Sequence, residues 1–256
     1  MTDDARRSPD GDAAPAADET LVFRHVDDSR AGALPEVPPE PARSVTIAAR
    51  VQALFRSSGA LRDGHSLLKS GRHGDRYLEK FQVLQYPEAV VEICGDLADL
   101  VRGTDGRPTV DVVVGPTTGG VLLAFEVARQ LGLRGIFAEE VRDADGGTRR
   151  EFRRGFSIAQ GERVYLVDDI LTTGGSLLAM LPAIDATPGE LVAVGIIVDR
   201  SGGTTEVRSE ATGRVTPVRS LWTLDVPTYE PGPATCPACA RGEPLVAPGS
   251  TGTKAG

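Results

Sequence analysis

The stretch from Val164 to Ser176, Val-Tyr-Leu-Val-Asp-Asp-Ile-Leu-Thr-Thr-Gly-Gly-Ser, limits the fold more than any other part of the chain. An apolar run of this length, closed by turn residues, reads as a strand buried on both faces, the condition of a parallel sheet covered by helices. Leu171, Thr172, Thr173, Gly174, Gly175 and Ser176 then form a turn that opens a helix. A helix N-terminus presents unpaired N–H groups and the positive end of the helix dipole, so it favours phosphate. Two glycines let the backbone approach an anion, and three hydroxyls add donors. Asp168 and Asp169 end the strand, where ligands bind in open α/β sheets. Carboxylates repel phosphate but suit sugar hydroxyls or a hydrated magnesium ion. Phosphate donors beside hydroxyl acceptors describe a ribose phosphate. A plain strand, glycine cap and surface acids is the simpler alternative, and it leaves the full string unexplained.

The flanking sequence repeats the alternation. Val110–Gly115 reads as a strand, Gly119–Leu131 as a helix and Gly135–Ala138 as a short strand. Val164–Asp169 is a strand, Gly174 to Ile184 a helix and Leu191–Asp199 a strand. Strands alternating with helices give βαβ units and a doubly wound, mostly parallel α/β sheet. Val215–Leu224 reads as an edge strand, and the arginine-rich stretch Glu140–Phe156 as an extended loop or flexible hairpin. Four regions follow. Residues 1–43 are an acidic tail expected to be disordered. Residues 44–86 carry a helix behind a Ser44 cap, with Val45, Ile47, Val51, Leu54 and Phe55 at helical spacing, and then a hairpin around a glycine turn. Residues 87–225 form the core, opened by a helix from Pro87 to about Arg102. Residues 226–256 form a Pro/Gly-rich tail.

The net charge is −8, and the first 44 residues hold ten acids against five arginines. Nothing here invites nucleic acid, so a phosphate substrate must be met by local features. No apolar run approaches the ~18 residues of a membrane span, and the N-terminus lacks a secretory core, so a cytoplasmic protein is expected. The chain contains neither Gly-x-x-x-x-Gly-Lys-Ser/Thr nor Gly-x-Gly-x-x-Gly. A P-loop nucleotidase and a standard dinucleotide binder are therefore disfavoured.

The Val164–Ser176 string resembles the signature by which type I phosphoribosyltransferases hold phosphoribosyl pyrophosphate (PRPP). The resemblance implies that residues 172–176 cradle the 5′-phosphate, that Leu171 also borders PRPP, and that Asp168 and Asp169 face the ribose hydroxyls. Further segments are similar to orotate phosphoribosyltransferases and occur in the same order from about residue 50 to 202. In Leu67-Leu-Lys-Ser-Gly-Arg, followed by Tyr77, the resemblance assigns Lys69 to the pyrophosphate and Tyr77 and Leu78 to the base. Val113-Val-Gly-Pro-Thr-Thr-Gly-Gly, with Thr117 and Thr118, resembles the pyrophosphate loop. Val198-Asp-Arg places Arg200 where the family meets the orotate carboxylate, and Thr172 also falls near the base. The resemblance further implies Mg²⁺ carried through PRPP with no direct protein ligand, and a homodimer.

That family's mobile loop carries lysines and a histidine. Residues 140–154 hold neither, and offer Arg142, Arg149, Arg150, Arg153 and Arg154 instead. Arg142 stands as the candidate catalytic residue among them, beside Asp168, Asp169 and Lys69. Arginine stabilises pyrophosphate as a bidentate donor but cannot readily donate a proton. Two alternatives follow: transfer to a purine or uracil, and a PRPP-binding regulator with little catalysis.

Cys236-Pro-Ala-Cys239 is half of a zinc site with no second cysteine pair in the chain, because Cys94 lies in an expected helix. Two such pairs across a dimer would complete one; a pair without a special role is the plainer reading. A similar Cys-Pro-x-Cys tail occurs in some relatives of the resembled family. His65 and His73 read as surface or structural histidines.

Overall fold

A computed structural model describes residues 46–68, 70–143 and 146–247. The expected acidic tail and Lys69 lie outside these residues.

The chain enters through α1 (Ile47–Ser57), capped by the Thr46 hydroxyl, which accepts from the Ala49 amide at 3.3 Å. Thr46 therefore takes the capping role expected of Ser44, one turn before the first buried residue, Val51. Two strands follow, β1 (Leu61–Leu67) and β2 (His73–Leu78), paired antiparallel. The short α2 (Phe81–Leu84) leads to α3 (Pro87–Asp99), whose proline sits at the first turn, where its missing N–H costs nothing.

The core then alternates: β3 (Val112–Pro116), α4 (Gly119–Leu131), β4 (Arg134–Arg142), β5 (Thr148–Glu151), β6 (Arg163–Leu171), α5 (Gly175–Asp185), β7 (Glu190–Asp199), β8 (Glu206–Arg208) and β9 (Val215–Thr223). β10 (Thr228–Tyr229) and α6 (Pro237–Ala240) close the described chain. Seven strands make the main sheet in the order β5-β4-β3-β6-β7-β9-β8. The five central strands are parallel, and both edge strands pair antiparallel.

Period-two alternation divides the buried side chains between two faces. Val113, Tyr165, Val167 and Ile197 pack with α1, α3 and α4; Val112, Val114, Leu166 and Ile196 pack against α5. The Phe55 ring meets Trp222 edge-on at 5.8 Å, which ties α1 to β9.

β9 is not an edge strand, because β8 pairs outside it. Of the two readings of residues 140–156, the hairpin is the one formed: β4 runs on to Arg142 and turns back as β5, with Glu139 opposite Glu151 and Arg142 opposite Thr148. The segment read as a tail from residue 226 is also folded as far as residue 247. β10 adds to β2 in a separate three-stranded sheet, and Val246 bridges β1 through Leu67 N to Val246 O and Val246 N to His65 O, each 2.8 Å.

Candidate active site

The carboxyl ends of β3, β6 and β7 lie side by side because parallel pairing aligns them. β6 delivers Asp168 and Asp169, only 6% and 4% exposed. Burial, with the Asp169 carboxylate beside it, pushes Asp168 up to about 6, against the Ser176 hydroxyl and the Asp169 amide, which favour its charged form. Asp169 is held by Lys80 just before α2, with Nζ 2.7 Å from Oδ2.

Beyond the acids, Gly174 adopts φ 80°, the left-handed region glycine tolerates, and this turn starts α5. Thr172, Thr173, Gly175 and Ser176 are exposed around a cleft of about 100 Å³ that Asp168 and Leu171 also line. The start of α5 thus borders the same cleft as Asp168. A larger cavity, about 290 Å³ beside Leu100, Tyr165 and Arg219, sits at the amino ends of the strands, away from these acids.

β3 ends at Pro116, and the turn Thr117–Thr118, joined by a cis peptide, opens α4. Gly119 faces the acid pair so closely that a Cβ there would lie 1.9 Å from Asp169 Oδ2. Only a residue without a side chain leaves this space to the carboxylate. Arg150 reaches across from β5, its guanidinium donating to Thr117 Oγ1 at 2.9 Å and to Thr117 O at 3.3 Å.

Arg149, Arg153 and Arg154 are held by hairpin carboxylates. Arg149 pairs with Asp143 and Glu151, Arg153 with Glu151, and Arg154 with Glu139. Arg142 is exposed at the end of β4 with no ion pair among the described residues.

Asp199 ends β7, and its Oδ1 accepts from the Ser201 amide and hydroxyl at 2.7 and 2.6 Å, fixing the turn that carries Arg200. The Arg200 amide donates to Leu171 O at 2.7 Å, so the arginine sits directly beside the phosphate turn. Its Nε is buried without a hydrogen-bond partner, and burial lowers its pKa. A guanidinium in this state has unspent affinity for an anion.

The structure brings Asp168, Asp169, Leu171–Ser176, Thr117, Thr118 and Arg200 to one end of the sheet. Tyr77 and Leu78 are adjacent on β2 and must point to opposite faces. Tyr77 lines a cavity of about 450 Å³ with Arg62, Glu79 and Val246, and its hydroxyl donates to Glu79 at 3.3 Å. Leu78 packs in the core with Val51 and Leu54. Tyr77 and Leu78 thus do not share one cavity: Tyr77 faces the cavity and Leu78 the core.

Sequence reasoning missed Lys80 and the Arg150–Thr117 contact. One pairs across 89 positions and the other across 33. Lys80 is one of just three lysines in the sequence, which is the signal that could have found it, and nothing separated Arg150 from its four neighbours.

The phosphoribosyl transferase domain matches residues 82–226, and an orotate phosphoribosyltransferase from Caldicellulosiruptor saccharolyticus is 44% identical over 201 residues, 78% of this chain and 96% of that one. The chain belongs to the phosphoribosyltransferase family. A second family member, the orotate phosphoribosyltransferase of Thermotoga maritima, is 37% identical over 80% of this chain and all of its own. Among solved family structures, the Mycobacterium tuberculosis orotate phosphoribosyltransferase aligns with TM-score 0.52 at 25% identity, covering 68% of this chain and 96% of its own. The Trypanosoma brucei adenine phosphoribosyltransferase, solved with AMP, pyrophosphate and ribose-5-phosphate, aligns with TM-score 0.53 at 19% identity, covering 72% and 81%. At that identity the likeness speaks for the fold alone. Orotate and adenine transferases thus share the fold to the same degree.

The acids of this site bear on how a magnesium ion would be held. Of the two carboxylates, Asp169 is taken by Lys80 and Asp168 is held toward its neutral form. That falls short of a protein cage but fits an ion carried by substrate oxygens, which Mg²⁺ tolerates because it keeps most of its shell from phosphate and water.

Proposed function

We propose that the protein transfers the phosphoribosyl group of PRPP to orotate, giving orotidine 5′-phosphate and pyrophosphate, a step of pyrimidine (UMP) biosynthesis in the cytoplasm. The observation that carries the choice of base is Arg200, a partly buried guanidinium with a partnerless Nε beside the phosphate turn. Orotate differs from uracil by a carboxylate, and a site built to pair that group rejects bases without it. The 44% identity to a curated orotate transferase supports the same reading.

The reaction breaks the bond from ribose C1 to a pyrophosphate oxygen and forms one from C1 to a ring nitrogen of the base. Pyrophosphate departs with the bonding pair, and the nitrogen, having given up its proton, supplies the new pair. The transition state has ribosyl-cation character, so the protein works by positioning and charge rather than covalent attack. Thr172–Ser176 and the start of α5 hold the 5′-phosphate. Asp168 and Asp169 accept from the ribose hydroxyls and place their negative charge near C1. The Thr117–Thr118 turn, with Arg150, Arg142 and Lys69, meets the leaving pyrophosphate, and Tyr77 packs on the base. When bound with PRPP, magnesium neutralises leaving-group charge.

A homodimer accompanies this reading. Leu122 and Phe125 on α4 are 45% and 68% exposed, an apolar strip that a second copy would cover. Sedimentation equilibrium checks it.

The assay mixes protein, PRPP and Mg²⁺ with orotate, uracil or adenine and follows loss of each base. Turnover with orotate alone is expected. Turnover confined to another base would overturn the choice of substrate, and PRPP binding without any turnover would mark a regulator.

A further inference from the structure

We propose that His65, His73, Cys236 and Cys239 form a closed zinc site that fastens the C-terminal segment to the β1–β2 hairpin. The cysteine pair alone is half a site, and both histidines read as unremarkable; folding puts all four in one place. Their ligand atoms lie within 4.8 Å of one another. His65 Nε2 is 2.7 Å from His73 Nδ1, 3.6 Å from Cys236 Sγ and 3.5 Å from Cys239 Sγ. Cys239 Sγ is 3.3 Å from His73 Nδ1.

Several local features converge on this arrangement. A register shift between Asp63 and Ser66 surrounds His65, and His73 stands opposite Leu67, two residues beyond His65. The two imidazoles thus share one face of the hairpin. Three-residue spacing at the start of α6 puts both sulfurs on one side of a single turn. Val246 then pairs with β1 next to His65.

A hydrogen-bonded cluster explains less. His65 Nδ1 faces Glu243 O at 2.9 Å and donates its proton there, which leaves Nε2 a bare lone pair. A proton shared between that lone pair and His73 Nδ1 satisfies the two imidazoles but leaves the sulfurs, which lie 3.3 to 3.6 Å from the same nitrogens, without an acceptor of their own. A cation at the centre satisfies all four. Zn–N of ~2.0–2.1 Å and Zn–S of ~2.3 Å at tetrahedral angles require N···S separations of roughly 3.5 Å, close to those found. The Glu243 carbonyl supplies the outer contact that orients a zinc-bound imidazole. His65, His73 and Cys236 are 5%, 6% and 1% exposed, and four protein ligands leave no open position, the mark of a structural rather than catalytic metal. The two thiolates balance the charge of Zn²⁺, so the buried unit is neutral.

The consequence reaches the base side of the molecule. His65 and Val246 line the same cavity as Tyr77, so the metal would set the wall against which a base packs.

The test uses the full chain without a histidine tag, expressed with zinc and purified under reducing conditions. One zinc per chain is expected by elemental mass spectrometry. Replacement by Co²⁺ should give the strong visible bands of a tetrahedral ion with thiolate ligands. Cys239→Ser and His73→Asn should each lower the zinc content at least tenfold, and a strong chelator should lower Tm in the wild type but not in Cys239→Ser. If the variants do not fold, the wild-type zinc content and cobalt spectrum still decide. Zinc-free protein that also fails to take up Co²⁺, an octahedral cobalt spectrum, or a Cys236–Cys239 disulfide in the native protein would each overturn the proposal. None of these readouts requires orotate turnover.

Discussion

Burial of Asp168 beside a second carboxylate sets stability against binding at one residue. Its folded-state pKa, about 6, lies above the ~3.9 of an unfolded chain, so the folded state holds this proton more tightly. The stabilisation from that proton is complete below pH ~4 and is lost as pH rises to about 6. Above pH 6 the ionised group costs the fold up to about 3 kcal/mol. Asp168→Asn should therefore raise Tm at pH 8 and change it little at pH 4, while PRPP affinity falls at least tenfold; calorimetry at both pH values checks this. In the wild type, PRPP affinity should weaken below pH 6, where binding must first expel the proton. Arg200 gives a second prediction. Arg200→Gln removes a charged donor, worth about 1.5–3 kcal/mol. KM for orotate should rise roughly 10- to 100-fold at this energy, with KM for PRPP almost unchanged. The acids were legible as candidates because short-range chemistry placed them at the end of an apolar run beside a glycine turn, whereas Arg200 was legible only through the family resemblance of its Val-Asp-Arg string.

The β4–β5 hairpin shows what an element adds. Its residues are polar, so no apolar period distinguished a strand from a loop; backbone pairing beyond the end of the covered sheet made it a hairpin. Its arginines are also unequal. Arg149 is half exposed and satisfied within the hairpin, so Arg149→Ala should cost less than about 1 kcal/mol. Arg150 is 11% exposed and is the one that contacts Thr117. Arg150→Ala should speed amide exchange across 139–151 and cut kcat/KM for PRPP by about 10- to 100-fold, the scale of a lost charged hydrogen bond. Equal effects from the two substitutions would refute the distinction.

At the scale of the molecule, the proposed function divides between one βαβ sheet, which bears Asp168, Asp169 and the turn before α5, and a small sheet of β1, β2 and β10 beside the cavity that Tyr77 lines. A two-stranded hairpin is marginal alone and gains stability from a third strand or packing. A chain ending at Val226 removes that strand, α6 and Val246. It should keep PRPP affinity within a few-fold and lose orotate affinity by a larger factor, measured by calorimetry with each ligand. The sequence by itself determined the doubly wound sheet, the phosphate turn and the two acids. Each is written in contiguous residues, as a strand of buried side chains, a glycine turn and a helix start. Only the tertiary structure decided that Lys80 holds Asp169, that Arg150 serves the Thr117 turn, and that two histidines meet two cysteines 163 to 174 positions away. Those contacts depend on strand order and on a C-terminal segment folding back. Chain closure over such lengths is set by the whole packed sheet, and no local pattern of residues encodes it.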